Sequence, residues 1–177
     1  MTKRLLASLA GVVLAVGAPS AFAQSGTLVL YTSQPNADAQ ATVDAFQAAH
    51  PDIEVEWVRD GTTKMMAKLR AEFAAGDPQP DVLLIADTVT MEGLEQEGRL
   101  MAYPDAPTEA YDAALHDAQG HYFSTKLITT GIVYNDAAPT PPTSWHDLTA
   151  EAAANQVAMP SPLTSGAAAI HMETLVS

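Results

Sequence analysis

The chain has 177 residues, no cysteine, and 21 acidic against 8 basic side chains, a formal net charge of −13. That balance argues against nucleic acid and against anionic membrane surfaces, whose phosphates would be repelled rather than neutralised. Without cysteine there is neither a disulfide nor a thiolate metal site, so stability rests on a packed core of about one domain.

Residues 1–23 read as a secretory signal. Lys3 and Arg4 make a basic start, Leu5 to Gly17 an apolar run, and Ala21-Phe22-Ala23 a small-x-small cleavage pattern before Gln24. A membrane span needs about 18 or more apolar residues, and this run is shorter and broken by glycine. Export with cleavage before Gln24 is expected.

Leu28-Val29-Leu30-Tyr31 is a continuous apolar run, the pattern of a strand buried on both faces. It ends in Thr32-Ser33-Gln34-Pro35. A helix is predicted from Asn36, with Ala39, Val43 and Phe46 on one face and Pro51 forcing a stop near His50. Ile53 to Trp57 alternates strictly, as a half-exposed edge strand does. After the Asp60-Gly61 turn, Thr62 or Thr63 is expected to cap a helix carrying Met66, Leu69 and Phe73, closed by Gly76 and Pro78. Val82 to Ile85 repeats the buried-strand pattern and leads through Asp87-Thr88 to a third helix ending at Gly98.

This strand–helix alternation implies right-handed crossovers and a parallel sheet. Placing the two most apolar strands centrally, with the alternating one outside, gives the spatial order second, first, third. The winding reverses between the first and third strands, and ligands bind outside the carboxyl ends of strands at such a reversal. Thr32, Ser33 and Gln34 on one side and Asp87 and Thr88 on the other are therefore binding candidates, although capping and turn formation account equally well for each. Beyond Gly98 the expected strands are Tyr122-Phe123, a long piece from Leu127 to Tyr134, and one around Val157 to Met159. A helix is expected near Ser165-Gly166.

Several segments together resemble periplasmic solute-binding proteins of ABC importers, in the branch holding ferric-iron-binding and 2-aminoethylphosphonate-binding members. They are Leu30-Tyr31-Thr32-Ser33-Gln34, Asp60-Gly61-Thr62-Thr63, Pro80-Asp81-Val82-Leu83, Thr130 to Asn135, Ser144-Trp145-His146-Asp147-Leu148, and Met159-Pro160-Ser161-Pro162 before Ser165-Gly166. The resemblance implies an α/β fold of the type II periplasmic-binding class, with two lobes around a cleft that closes on its ligand. It divides the chain into a signal peptide (1–23), a first lobe (24–125), and a crossing strand with the start of a second lobe (126–177), incomplete because family members are about twice as long. It also implies a monomer working in the periplasm with a membrane permease as partner.

Ferric-binding members use tyrosines from the later second lobe, a region this sequence lacks, and Thr62 and Thr63 stand where a carboxylate would favour iron. Hydroxyls, amides and helix starts suit an oxyanion better. The expected ligand is a 2-aminoethylphosphonate-like anion, with ferric iron next as cargo and no resident cofactor. Asp60 and Thr62 join the binding set, as do Ser161, Thr164, Ser165 and Gly166 on entry to the second lobe. Asp87 would meet a ligand amine. The five histidines, at 50, 116, 121, 146 and 171, show no tight ligand spacing and read as surface or capping groups. A secreted hydrolase is the contrasting class, but Gly-x-Ser-x-Gly, His-Glu-x-x-His and a Gly-rich phosphate loop are all missing. A truncated product without function is a third expectation.

Overall fold

The first strand, β1 (Gly26–Thr32), is flanked on one side by β2 (Ile53–Arg59) and on the other by β3 (Val82–Leu84), all parallel, in the order β2-β1-β3. The computed structural model describes residues 25–176, and the stretch read as an export signal lies outside them. The register pairs Thr32 with Arg59 on one side and with Leu84 on the other, so three strand ends meet at Thr32.

Helix α1 (Asn36–Ala49) connects β1 to β2, and α2 (Thr62–Ala75) connects β2 to β3. The two crossovers run in opposite directions across the sheet, so the right-handed rule places α1 and α2 on opposite faces. Helix α1 stops where Pro51 requires it, with the His50 N–H donating to the Phe46 carbonyl at 2.9 Å. Helix α2 ends on Gly76, whose N–H reaches the carbonyls of Glu72 and Phe73. Helix α3 (Thr88–Gln96) follows β3.

Met66, Leu69 and Leu94 form the buried centre between α2 and α3, with Phe73, Leu83, Ile85, Met91 and Leu100 packed around them. Their helical spacing is the one legible in the sequence. Tyr31 is buried too, and its hydroxyl donates to Glu72 Oε1 at 2.8 Å, with Lys68 Nζ bonded to both groups. Burial opposes ionisation of Glu72, but hydrogen bonds from Lys68, Tyr31 and the Gln79 N–H outweigh it and hold the carboxyl below its usual range. At the sheet's edge β2 alternates as expected: Ile53, Val55 and Trp57 are half-buried, and Glu54 and Glu56 face solvent.

Four expectations require correction. No strand forms over 127–134, where Leu127 is 75% and Val133 97% exposed, because among the described residues no strand lies alongside to complete a ladder. Residues 157–159 likewise form no strand with any of the described residues, and Tyr122-Phe123 is reduced to an isolated bridge between His116 and Phe123. The N-cap of α2 is Gly61, without a side-chain cap bond, rather than Thr62 or Thr63, because Thr62 already has helical geometry and is buried. After α3 the chain is mostly irregular with short 3₁₀ turns until α4 (Gly166–Val176).

Candidate functional site

The carboxyl end of the sheet is built around Thr32, which is 0% exposed. Its hydroxyl donates to the Leu84 carbonyl at 3.0 Å and accepts the Gln34 N–H at 3.1 Å, locking the turn that leaves β1. Ser33 continues the lock: its N–H donates to the Leu84 carbonyl, and its Oγ accepts the Ala86 N–H, each at 3.0 Å. These two hydroxyls therefore tie β1 to β3 and shape the floor of the site.

Gln34 differs from them. Its Oε1 is buried and has no hydrogen-bond partner among the described residues, an arrangement that costs roughly 1–3 kcal/mol if nothing satisfies it. Beside it, Arg59 at the end of β2 donates Nε to the Gln34 carbonyl at 3.0 Å. Among the described residues no further hydrogen bond or ion pair engages that guanidinium, so its two terminal nitrogens remain available. Arg59 escaped sequence reasoning because a basic residue after an edge strand looks like ordinary surface, and only the Thr32–Arg59 register brings it to the site.

The two acidic candidates are engaged locally. Asp60 Oδ1 accepts the Gly61 N–H at 2.7 Å and lies 3.9 Å from Lys64 Nζ. Asp87 caps α3, accepting the Thr90 N–H at 3.2 Å, and its other oxygen takes the Thr90 hydroxyl. Thr88 is the exposed first residue of that helix.

The later segment meets this end of the sheet directly. Gly166 is buried, and a Cβ placed on it would lie 2.8 Å from Thr62 Oγ1 and 2.9 Å from the Ala86 carbonyl oxygen. A Cβ on Gly61 would lie 2.5 Å from the Thr164 carbonyl oxygen. Both glycines thus permit a close backbone approach. Thr62, Thr164 and Gly166 come together with Gly61, after β2, and Ala86, after β3, whereas Ser161 is exposed and its hydroxyl accepts the Leu163 N–H. Ser165 caps α4 through Oγ to the Ala168 N–H at 3.3 Å. Here the start of α4 is packed against Thr62 rather than left open to an anion. Outside this junction, α4 is held by a Thr130–His171 hydrogen bond of 3.1 Å and by Trp145 against the His171 ring.

A parallel α/β sheet whose strand ends, helix starts and a later segment converge on one junction defines a class of ligand-binding protein. The family model for bacterial extracellular solute-binding proteins matches residues 31–176, and the chain belongs to that family. Membership gives it an extracellular solute-binding role in transport, in a family that is in general not enzymatic. Among curated proteins none matches the chain.

Proposed function

We propose that this chain is the periplasmic solute-binding component of an ABC importer and captures a small amine-bearing oxyanion, a 2-aminoethylphosphonate-like ligand, at the carboxyl end of its sheet. The observation that carries the reading is the buried, unbonded Gln34 Oε1 beside the available guanidinium of Arg59. A guanidinium offers paired donors to a phosphonate, and a buried amide oxygen demands a donor such as an ammonium. The exposed helix start at Thr88 adds a favourable dipole for the anion, and the starts at Thr62 and Gly166, packed against each other here, join it once those segments part. The ligand enters as the 164–166 segment separates from Thr62 and Ala86, which is the hinge opening of a two-lobed type II binding protein, and a membrane permease receives it. The chain works as a monomer and without a resident cofactor.

Ferric iron is the less suited cargo. It is a hard cation that calls for several anionic oxygen ligands, whereas the floor of the site is lined by the neutral hydroxyls and amide of Thr32, Ser33 and Gln34. Calorimetry with 2-aminoethylphosphonate is the test. Binding by the unaltered chain should weaken ten-fold to over a hundred-fold in Arg59→Ala, the loss of a charged hydrogen bond of about 1.5–3 kcal/mol. Absence of phosphonate binding, or equal affinity in the variant, would reject this ligand class, and a coloured complex on ferric titration would favour iron.

A further inference from the structure

Away from the sheet's carboxyl end, the last turn of α3 meets the loop of residues 117–121. Glu95 lies seven residues beyond Thr88, about 10 Å along the helix axis at 1.5 Å per residue. There His121 Nδ1 stands 3.0 Å from Asp117 Oδ2 and 3.6 Å from Glu95 Oε1, and ligand atoms of all three residues lie within 4.8 Å of one another. Ligand atoms around a tetrahedral zinc, with bonds near 2.0–2.1 Å, are separated by roughly 3.3 Å. The two distances from His121 Nδ1, 3.0 and 3.6 Å, bracket that value.

The loop holds its two ligands in place. Asp117 Oδ2 accepts the backbone N–H groups of Gln119 at 3.1 Å and His121 at 3.0 Å, and the Asp117 N–H donates to the Tyr122 carbonyl at 3.0 Å. Gly120 takes a φ of +77°, open to glycine at little cost, and its carbonyl accepts the Tyr103 N–H at 2.8 Å. All three side chains are partly shielded, with exposures of 25% for Glu95, 9% for Asp117 and 24% for His121. The backbone hydrogen bonds fix the Asp117 carboxylate in place, as hydrogen bonds to metal-ligating carboxylates do.

We infer that Glu95, Asp117 and His121 form a divalent transition-metal site that takes Zn²⁺ and clasps the end of α3 to the 117–121 loop. One imidazole nitrogen with two carboxylates selects zinc over magnesium or calcium, which prefer all-oxygen shells. Three protein ligands leave a fourth position for water. The site is separate from the anion site proposed above and does not depend on it.

The same geometry would serve a protonated imidazole bridging two carboxylates with no ion, and the experiment separates the two. The full chain, without a histidine tag and stripped with chelator, is titrated with Zn²⁺ by calorimetry at pH 7.5, and Co²⁺ substitution is followed by its visible absorption. One equivalent of Zn²⁺ should bind and raise the melting temperature, and Co²⁺ should give visible bands. His121→Ala and Glu95→Gln should each weaken binding by at least about ten-fold, the lower end of what perturbing a metal's surroundings costs. His116→Ala, one loop position from Asp117, should bind as the parent does. Absence of stoichiometric binding, or Zn²⁺ affinity and Co²⁺ bands that survive His121→Ala, would overturn the assignment.

Discussion

Gly166→Ala probes the junction between the start of α4 and the strand ends. A methyl there would lie 2.8 Å from Thr62 Oγ1, 2.9 Å from the Ala86 carbonyl oxygen and 3.2 Å from Thr62 Cβ. These distances are well inside the roughly 3.5 Å at which carbon makes favourable contact. The Ala86 oxygen belongs to the backbone, and Thr62 is 3% exposed and β-branched, so neither neighbour yields freely. Overpacking of this kind costs about 1–3 kcal/mol. Opposing it, alanine is better than glycine in a helix by up to about 1 kcal/mol, and by less at a first helical position. The net expectation is a loss of about 0.5–2.5 kcal/mol, read from the urea midpoint at constant slope. Removing the Thr62 side chain beyond Cβ relieves part of the clash, so Gly166→Ala should cost less in a Thr62→Ala background, with a coupling of about 0.5 kcal/mol or more. A stabilising Gly166→Ala in both backgrounds would show that α4 does not start against Thr62 and Ala86.

Asp87→Ala should lower stability by about 1 kcal/mol through loss of the α3 cap, whereas Asp87→Asn, nearly as good a cap, should preserve it. Unfolding of both variants beside amine-bearing and amine-free phosphonate binding separates capping from ligand recognition. Leu69→Ala, at a side chain 1% exposed in the α2–α3 core, should cost about 2–5 kcal/mol in denaturant unfolding. Asp147 is held below the usual carboxylate range by the Thr143 N–H, then by the Ser144 N–H and the Thr143 hydroxyl. A depressed folded pKa contributes stability above the unfolded value of about 3.9 and loses it as pH falls through the folded value. Hydrogen exchange should therefore show Thr143 and Ser144 amides protected at neutral pH and released in acid, and Asp147→Asn should show weakened protection already at neutral pH.

The first three strands and helices were legible because each carries its own period: continuous apolar runs in β1 and β3, alternation in β2, and Met66, Leu69 and Phe73 at helical spacing. Stops were equally local, at Pro51 and Gly76. Even the order β2-β1-β3 followed, from placing the alternating strand outside the two apolar ones. Residues 127–134 misled because β propensity describes a side chain's fit to a pleated surface, and no adjacent strand supplies that surface. Thr62 has the residue type of a cap, but its hydroxyl faces the Gly166 position, a contact more than a hundred residues away in sequence. Of the site, Thr32, Ser33, Gln34 and Asp87 were visible as polar residues at strand ends. Arg59 needed the strand register, and Glu95 meets His121 only through tertiary packing. The Asp117–His121 spacing of four was visible, but outside a helix it predicts no contact by itself.

The alternation along β2 also bears on how the protein behaves in a crowd of its own copies. A parallel edge left uncovered invites a second chain to extend the sheet, and among the described residues no strand pairs with the outer side of β2. Glu54 and Glu56 sit two residues apart on the outward-facing row. A second copy docking in register would bring carboxylates face to face at about 5 Å. Each like pair costs about 1 kcal/mol near 4 Å in water, and more as the growing stack excludes solvent. The edge thus repels its own image, a safeguard against fibril-like stacking that is strongest in dilute buffer and fades as salt screens the charges.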